Sequence, residues 1–385
     1  MRVVVAMSGG VDSAVAAALL AEAGHEVIGV TLQIWPRGLR PPGRHVGCCS
    51  IDAVEDARRV ADRLGIAHYV FNFQELFERA VIGPFTRAYL DGQTPNPCIW
   101  CNERVKFGAL LDRAVQLGAD ALATGHYARV ERASDGSGRY LLLRPKDRAK
   151  DQTYALWPLT QWQLERVVFP LAPYTKQEVR EIARTLRLPV ASKPESQEIC
   201  FIPDDDYRRY LREHAPEAQQ PGEIVDTTGH VLGRHPGVAF FTVGQRKGLG
   251  LAAGRPLYVV AVDPASRRVV VGDRREAQAV GLIGVRPNWI ALARLEGPMR
   301  VEARIRRMAA DAPATIEPAP AETGTPEPVV RCHFDEPQWA VTPGQSVVFY
   351  RGDVVIGGAV IRRGLVDASR AAHTTSARPY EVAPR

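Results

Sequence analysis

An α/β protein is expected here, with a parallel-sheet domain first, a small central domain next and a C-terminal β-barrel-like domain last. Three observations carry this. Apolar runs alternate with helical stretches up to about residue 124, as in a parallel sheet. The first apolar run enters the first helix through serine and glycines. Past about Asp206 helical periodicity gives way to short apolar runs between turn signals. The expected boundaries are 1–205, 206–277 and 278–385.

In chain order, Val3-Val4-Val5 is the first strand, and Ala14–Leu20 is a helix stopped near Gly24. Val27–Leu32 is the second strand. Pro36–Gly47 is a Pro/Gly/Arg-rich loop, and Ile51–Leu64 is a helix ended by Gly65. Ala67–Phe71 is the third strand, Phe107–Leu117 a helix closed by Gly118, and Ala121–Thr124 the fourth strand. Ser8, Leu32 and Gly125 all fall at strand C-terminal ends, where open parallel sheets bind their ligands. Further on, Val301–Ile305, Val329–Phe334, Ser346–Tyr350 and Val354–Ile361 are strands of a barrel or sandwich. Ala310–Pro328, rich in Ala, Pro, Thr and Glu, reads as a loop, and the tail after Val366 as loosely ordered.

The chain has 385 residues, enough for two or three domains, and a hydrophobic fraction of 45%, ordinary for a globular protein. No apolar run approaches membrane-spanning length, and Met1-Arg2 leads straight into a strand. A cytoplasmic location without a membrane partner is therefore expected. The net charge of +6 is compatible with a nucleic-acid partner. The six cysteines, Cys48, Cys49, Cys98, Cys101, Cys200 and Cys332, are too dispersed for a disulfide framework, and no second CxxC completes a four-thiolate zinc site.

Ser8-Gly9-Gly10-Val11-Asp12-Ser13 is the chain's organising turn. A strand that meets a helix N-terminus through glycines presents backbone N–H groups and a dipole end to an anion. Walker A and G-x-G-x-x-G endings are both absent. Asp12 beside a phosphate site makes sense as a Mg²⁺ ligand. The plainer reading is a helix start capped by Ser8 or Asp12. The full hexapeptide resembles the PP-loop of ATP pyrophosphatases, which split ATP into AMP and pyrophosphate, usually to adenylate a carbonyl oxygen.

Two further stretches bear thiols. In Thr94-Pro95-Asn96-Pro97-Cys98-Ile99-Trp100-Cys101-Asn102, a rigid loop precedes a helix, with Arg104 and Lys106 close by. Helix N-termini and cations raise a thiol's thiolate fraction. Cys98-x-x-Cys101 also has the spacing of a redox pair or half a zinc site. Cys200, in Ser196-Gln197-Glu198-Ile199-Cys200-Phe201-Ile202, reads on its own as a core cysteine.

Taken together, these stretches resemble the tRNA-specific 2-thiouridylases. The likeness also rests on Lys106-Phe107-Gly108, Thr124-Gly125-His126-Tyr127-Ala128-Arg129, Lys150-Asp151-Gln152, Thr242–Gly248 and Pro343-Gly344-Gln345, and runs to about Ile361. It implies adenylation of the C2 oxygen of a tRNA wobble uridine by ATP with Mg²⁺, then replacement of that oxygen by sulfur from a cysteine persulfide. By position, Cys200 resembles the persulfide carrier and Cys101 the catalytic nucleophile, with a transient Cys101–Cys200 disulfide. Ala6, Met7, Ser8, Gly9, Gly10, Val11, Asp12, Ser13, Leu32 and Gly125 match ATP-contacting positions. Pro95, Asn96, Pro97, His126, Lys150, Asp151, Gln152, Arg306, Arg307 and Gln345 match tRNA-contacting ones. The sulfur donor implied is a cysteine desulfurase or a sulfur-relay protein.

His126 reads equally as a hydrogen-bonded core histidine, and Arg306-Arg307 as a solvated face. There are departures from the family: Leu32 replaces the usual Met, Arg307 stands where an aromatic is expected, and 310–328 looks inserted. The rivals are a PP-loop amide ligase acting on a small metabolite, and a non-catalytic RNA-binding protein.

Overall fold

The computed structural model describes residues 1–35, 51–194, 199–202, 204–320 and 327–366. The 36–47 loop, Cys48, Cys49, Ser196, Gln197 and the tail after Val366 lie outside the described residues. The chain forms two compact units. The first comprises Met1–Gly83, Pro97–Asp206 and Asp353–Val355, and the second comprises Pro84–Asn96, Tyr207–Gly352 and the chain from Ile356.

In the first unit β1 (Arg2–Ala6), β2 (Glu26–Gln33), β3 (Ala67–Asn72) and β4 (Ala121–Thr124) are parallel neighbours in the order β3-β2-β1-β4. A hairpin of β5 (Arg129–Arg132) and β6 (Tyr140–Leu143) follows. The two-residue β7 (Val167–Val168), too short to show as a pattern, then adds to β4. β-branched residues fill the central strand because both its faces are covered: Val3 and Val5 are wholly buried. The first helix, Val11–Glu22, is buried nearly all round and so is made of Ala, Val and Leu. The helix Ile51–Leu64 is amphipathic instead, burying Ala53, Ala57, Val60 and Ala61. The helix Lys176–Thr185 packs Val179 and Ala183 into the same core as Val11, Ala14 and Val15.

The helix expected over Phe107–Leu117 begins ten residues earlier. Pro97–Trp100 is α-helical, Cys101–Leu110 winds in the wider π form, and Leu111–Gln116 returns to α. Pro97 opens a helix because the first-turn N–H it lacks has no intrahelical partner there. Cys98 therefore lies in a helical turn, not in a rigid loop.

In the second unit β8 (Gly222–Asp226), β9 (Val231–His235), β10 (Tyr258–Asp263) and β11 (Arg268–Gly272) form a sheet ordered β10-β11-β8-β9. Then β12 (Gln278–Trp289), β13 (Met299–Arg304), β14 (Ala312–Ala319), β15 (Val329–Trp339), β16 (Ser346–Arg351) and β17 (Val354–Leu365) run in the order β12-β15-β14-β13-β16-β17. Pairing of β17 with β12 closes a six-stranded barrel. Within the expected loop over 310–328, residues 312–319 are instead β14, which pairs with both β13 and β15, and 321–326 lie outside the described residues. Ala312, Ala314 and Ile316 point inward and are buried, an alternation that the Pro and Thr content masks in the sequence. Among the described residues no helix is long and apolar enough to cross a membrane.

Candidate active site

The loop from Ala6 to Ser13 leaves the C-terminal end of β1. Gly10 is the helix N-cap and supplies no side-chain cap to the first-turn N–H groups of the helix, the groups an anion would take up. The expectation of Ser8 or Asp12 as cap is thereby replaced. Ser13 Oγ donates to the Gly10 carbonyl at 3.1 Å and accepts the Ser8 N–H at 3.1 Å, closing the loop on itself. Ser13 is buried, so its hydroxyl holds the loop's shape. Gly9 has φ +66°, and a Cβ there would fall 2.3 Å from the Ala53 carbonyl oxygen. Gly125, just past β4, could carry no side chain either: a Cβ would meet Asp12 C and Ser13 N at 2.7 Å. Met7 is buried and Leu32 half-buried at the end of β2, where Thr31 Oγ1 donates to the Met7 carbonyl at 2.8 Å.

The sequence shows no phosphate-loop lysine, but the fold brings in two. Lys176 Nζ lies 2.6 Å from both Asp12 carboxylate oxygens, and Tyr127 OH donates to Asp12 Oδ1 at 2.9 Å. Lys176 is the first residue of its helix, fixed by a Thr175/Glu178 capping box. The Lys146 ammonium, and then the bonds from Thr175, hold the Glu178 carboxyl down at about 2. Lys193 Nζ donates to the Gly9 carbonyl at 2.9 Å and to Asp56 Oδ2 at 2.6 Å. Burial raises the Asp56 pKa, but the bonds from Lys193 and Arg59 outweigh it and leave the carboxyl below its usual range. The capping box was a signal that could have marked Lys176. Nothing local marks Lys193.

A glycine-lined cradle flanked by two ammonium groups, each paired with a carboxylate (Lys176 with Asp12, Lys193 with Asp56), suits a nucleoside triphosphate whose phosphates compete for the lysines. Among the described residues no three His, Cys, Asp or Glu side chains converge on a metal position. A magnesium ion here would be held by Asp12 together with phosphate oxygens and water, the usual donor set for that ion.

Cys101 is half-buried and Cys98 exposed, one helical turn apart. Arg104 does not sit free beside the thiol: its Nη1 donates to the Ala80 carbonyl at 3.0 Å, and its guanidinium lies 5.5 Å from the Trp100 ring centroid. Lys106 Nζ donates to Asn102 Oδ1 at 3.2 Å, and buried Asn102 donates to the Ala155 carbonyl at 3.0 Å. Cys200 is half-buried, followed by the buried pair Phe201 and Ile202. The Phe201 ring meets Phe77 edge-on at 5.9 Å, and the short helix Gln74–Phe77 contacts the Cys101–Leu110 segment. Both thiol stretches therefore pack on one short helix of the first unit.

The residues matched to RNA contacts fall into several settings. Lys150 is half-buried in a single 3₁₀ turn. The Asp151 carboxylate is turned inward, accepting from Thr153 N and Oγ1 at 2.9 and 2.6 Å and lying 3.8 Å from Arg144. Gln152 Oε1 accepts from Tyr127 N at 2.8 Å. In the second unit Gln345 Nε2 donates to the Thr94 carbonyl at 2.8 Å, and Thr94 N donates to the Pro343 carbonyl at 2.9 Å. Gln345 thus holds the Thr94-Pro95-Asn96 loop, in which Pro95 is buried and Asn96 half-buried. Pro97 is also buried, at the head of the Cys101 helix. Arg306 Nη1 donates to the Trp339 carbonyl at 3.2 Å, while Arg307 and Met308 are exposed.

His126 is half-buried just past β4. Its Nδ1 shares a 2.7 Å hydrogen bond with Thr124 Oγ1, and its ring packs on Phe107 and Phe169. Burial, then the Lys106 charge, pushes the imidazole well below the ordinary 6.5. With the folded pKa depressed, the unfolded chain binds the extra proton, so stability is present above about pH 6.5 and is lost as pH falls toward the folded value. The melting temperature is expected to fall between about pH 7.5 and about pH 5, and by less in His126→Asn. Equal falls in both proteins would show that His126 is not the group responsible.

Comparison with known proteins gives three family matches along the chain. Residues 1–204 match a tRNA methyl transferase HUP domain, residues 208–273 a tRNA methyl transferase PRC-barrel domain, and residues 280–361 an aminomethyltransferase beta-barrel domain. Among curated relatives, a tRNA-specific 2-thiouridylase of Moorella thermoacetica is 55% identical over 93% of this chain and 98% of its own. That of Heliobacterium modesticaldum is 56% identical over 94% of this chain and 93% of its own. That of Carboxydothermus hydrogenoformans is 53% identical over 94% and 98%.

Proposed function

The chain belongs to the tRNA-specific 2-thiouridylase family, and from that premise we propose that it replaces the C2 oxygen of the wobble uridine of tRNA with sulfur, using ATP to activate that oxygen. The observation that carries this reading is the company kept by the phosphate loop: the Cys101 helix and the Cys200 segment both pack on the Gln74–Phe77 helix, in the unit that holds the loop. An amide ligase acting on a small metabolite has no use for two thiols packed on one helix of its ATP-binding unit.

The chemistry follows from the residues. The first-turn N–H groups of the first helix, with Lys176 and Lys193, hold the triphosphate and favour charge developing on the departing pyrophosphate. Attack of the uridine O2 on the α-phosphorus releases pyrophosphate and leaves AMP bonded to O2, turning a poor leaving group into a good one. Magnesium, when bound at Asp12, supplies charge neutralisation on the phosphates. Cys200 carries the outer sulfur of a persulfide delivered by a cysteine desulfurase or a sulfur-relay protein. In one route the Cys101 thiolate attacks the Cys200 Sγ and frees hydrosulfide, which adds at C2 and expels AMP. In the other the outer sulfur adds at C2 first, and Cys101 then attacks Cys200 Sγ to release the thiolated base. Either route ends in a Cys101–Cys200 disulfide that an external thiol must reduce. We further propose domain boundaries near residues 205 and 277.

The direct test is a panel of acceptors for ATP-dependent pyrophosphate release. Unmodified tRNA is expected to stimulate release, and small carboxylic acids are not. Stimulation by a small acid alone would favour the amide ligase. The RNA is also expected to bind with a steep salt dependence, and Lys150→Glu or Arg306→Glu to flatten the log–log slope by roughly one unit each without changing ATP affinity in the absence of RNA. A salt-independent affinity would remove electrostatic docking.

A further inference from the structure

The segment 147–152 is fastened at both ends to the backbones of the two residues whose side chains grip Asp12. At its start the Asp147 carboxylate accepts from Ala149 N at 3.1 Å and from Lys176 N at 2.9 Å. At its end Gln152 exchanges two hydrogen bonds with Tyr127: Tyr127 N donates to Gln152 Oε1 at 2.8 Å, and Gln152 N to the Tyr127 carbonyl at 3.1 Å. Lys176 and Tyr127 then converge on the one carboxylate, at 2.6 Å and 2.9 Å. The Lys176 ammonium also lies 6.0 Å from the Tyr127 ring centroid. Tyr127 is only 2% exposed, so it touches no macromolecule itself. Arg148 and Ala149 are exposed on the same segment.

We propose that segment 147–152 couples RNA occupancy to the phosphate loop, with Tyr127 and Lys176 as positioning residues for Asp12. This rests on the reading of the chain as a tRNA-thiolating enzyme. Asp12 has two competing sets of partners, its two protein donors or a magnesium–phosphate group. RNA seated on the exposed Arg148 and Ala149 and the half-buried Lys150 displaces a segment whose ends cannot move without moving the Tyr127 backbone and the first turn of the Lys176 helix. A shift at either donor loosens its hold on Asp12 and frees the carboxylate for magnesium. RNA therefore tightens ATP binding, and ATP tightens RNA binding by the same factor, because coupling between two sites is reciprocal. The enzyme is thereby kept from activating ATP without its acceptor.

The test uses the full-length protein, magnesium and an ATP analogue with a methylene bridge between the α- and β-phosphates, titrated calorimetrically with and without unmodified tRNA. Wild-type protein is expected to bind the analogue about fivefold or more tightly with tRNA present. Tyr127→Phe removes one hydroxyl, keeps the ring, and is expected to bring that ratio within about twofold by tightening binding of the analogue without tRNA and of tRNA without nucleotide. If the melting curve shows that Tyr127→Phe does not fold, Asp147→Ala, at the other tie, is expected to lower the ratio in its place. A ratio of one in wild-type protein that binds both ligands, or a full ratio in both variants, would overturn the coupling. Wild-type protein that binds no tRNA at all would overturn the functional reading, and the coupling with it.

Discussion

Cys101→Ser and Cys200→Ser are each expected to lower tRNA thiolation by on the order of 10³-fold or more while leaving ATP-analogue affinity within about twofold. A serine oxygen at 200 cannot carry sulfane sulfur, and a serine hydroxyl at 101 is a poor nucleophile toward a persulfide. Neither side chain belongs to the phosphate loop, which is built from 6–13, Gly125, Lys176 and Lys193. Cys98→Ala is expected to keep most of the activity, because Cys98 is the exposed member of the helical pair and has no assigned chemical role. The competing pair must first draw together, since residues three apart on a helix have Cβ atoms about 5–6 Å apart and a disulfide needs about 3.5–4.5 Å. Trapping after one turnover, blocking thiols and mapping peptides by mass spectrometry separates the two. A Cys101–Cys200 link supports the sulfur-transfer scheme and requires Cα atoms about 4.4–6.8 Å apart at that moment. A Cys98–Cys101 link with Cys200 dispensable would sink it.

Asp12→Asn is expected to reduce tRNA-dependent pyrophosphate release by on the order of 10²–10³-fold, the usual cost of removing one charge-stabilising group from a reacting centre. Asparagine keeps an acceptor for Tyr127 OH but removes the charge that Lys176 faces, and it weakens a favourable acid in the first turn of a helix. Those losses lower stability by about 1–2 kcal/mol, discounted because the Asp12 side chain is 33% exposed. The melting temperature should fall by a few degrees with the fold intact. Wild-type turnover in the variant would remove Asp12 from the chemistry. Loss of the folded state alone would reduce its role to structural support.

The phosphate loop was legible because its determinants are local: a β-branched run, two glycines and an Ala-rich helix in immediate succession. Lys176 and Lys193 were not, because they reach the loop from 164 and 184 residues away through tertiary packing. The helix start at Pro97 was misread for the opposite reason. Proline signals a loop by composition, yet it fits a first turn without cost. Strand β14 hid in the same way. Its buried set is two alanines and an isoleucine, too weakly apolar to stand out among prolines, and only pairing with β13 and β15 makes the pattern visible. Gln345 and Asp151 matched RNA-contacting positions, but the fold engages their side chains internally, on the Thr94 carbonyl and on Thr153.

Mass spectrometry of nucleosides after incubating unmodified tRNA with the protein, ATP, magnesium and a persulfide source tests tRNA thiolation most directly. A 2-thiouridine product at the wobble position is expected, dependent on ATP and absent with Cys200→Ser. Full release of pyrophosphate with no sulfur in the RNA, or sulfur incorporation that needs no ATP, would contradict it.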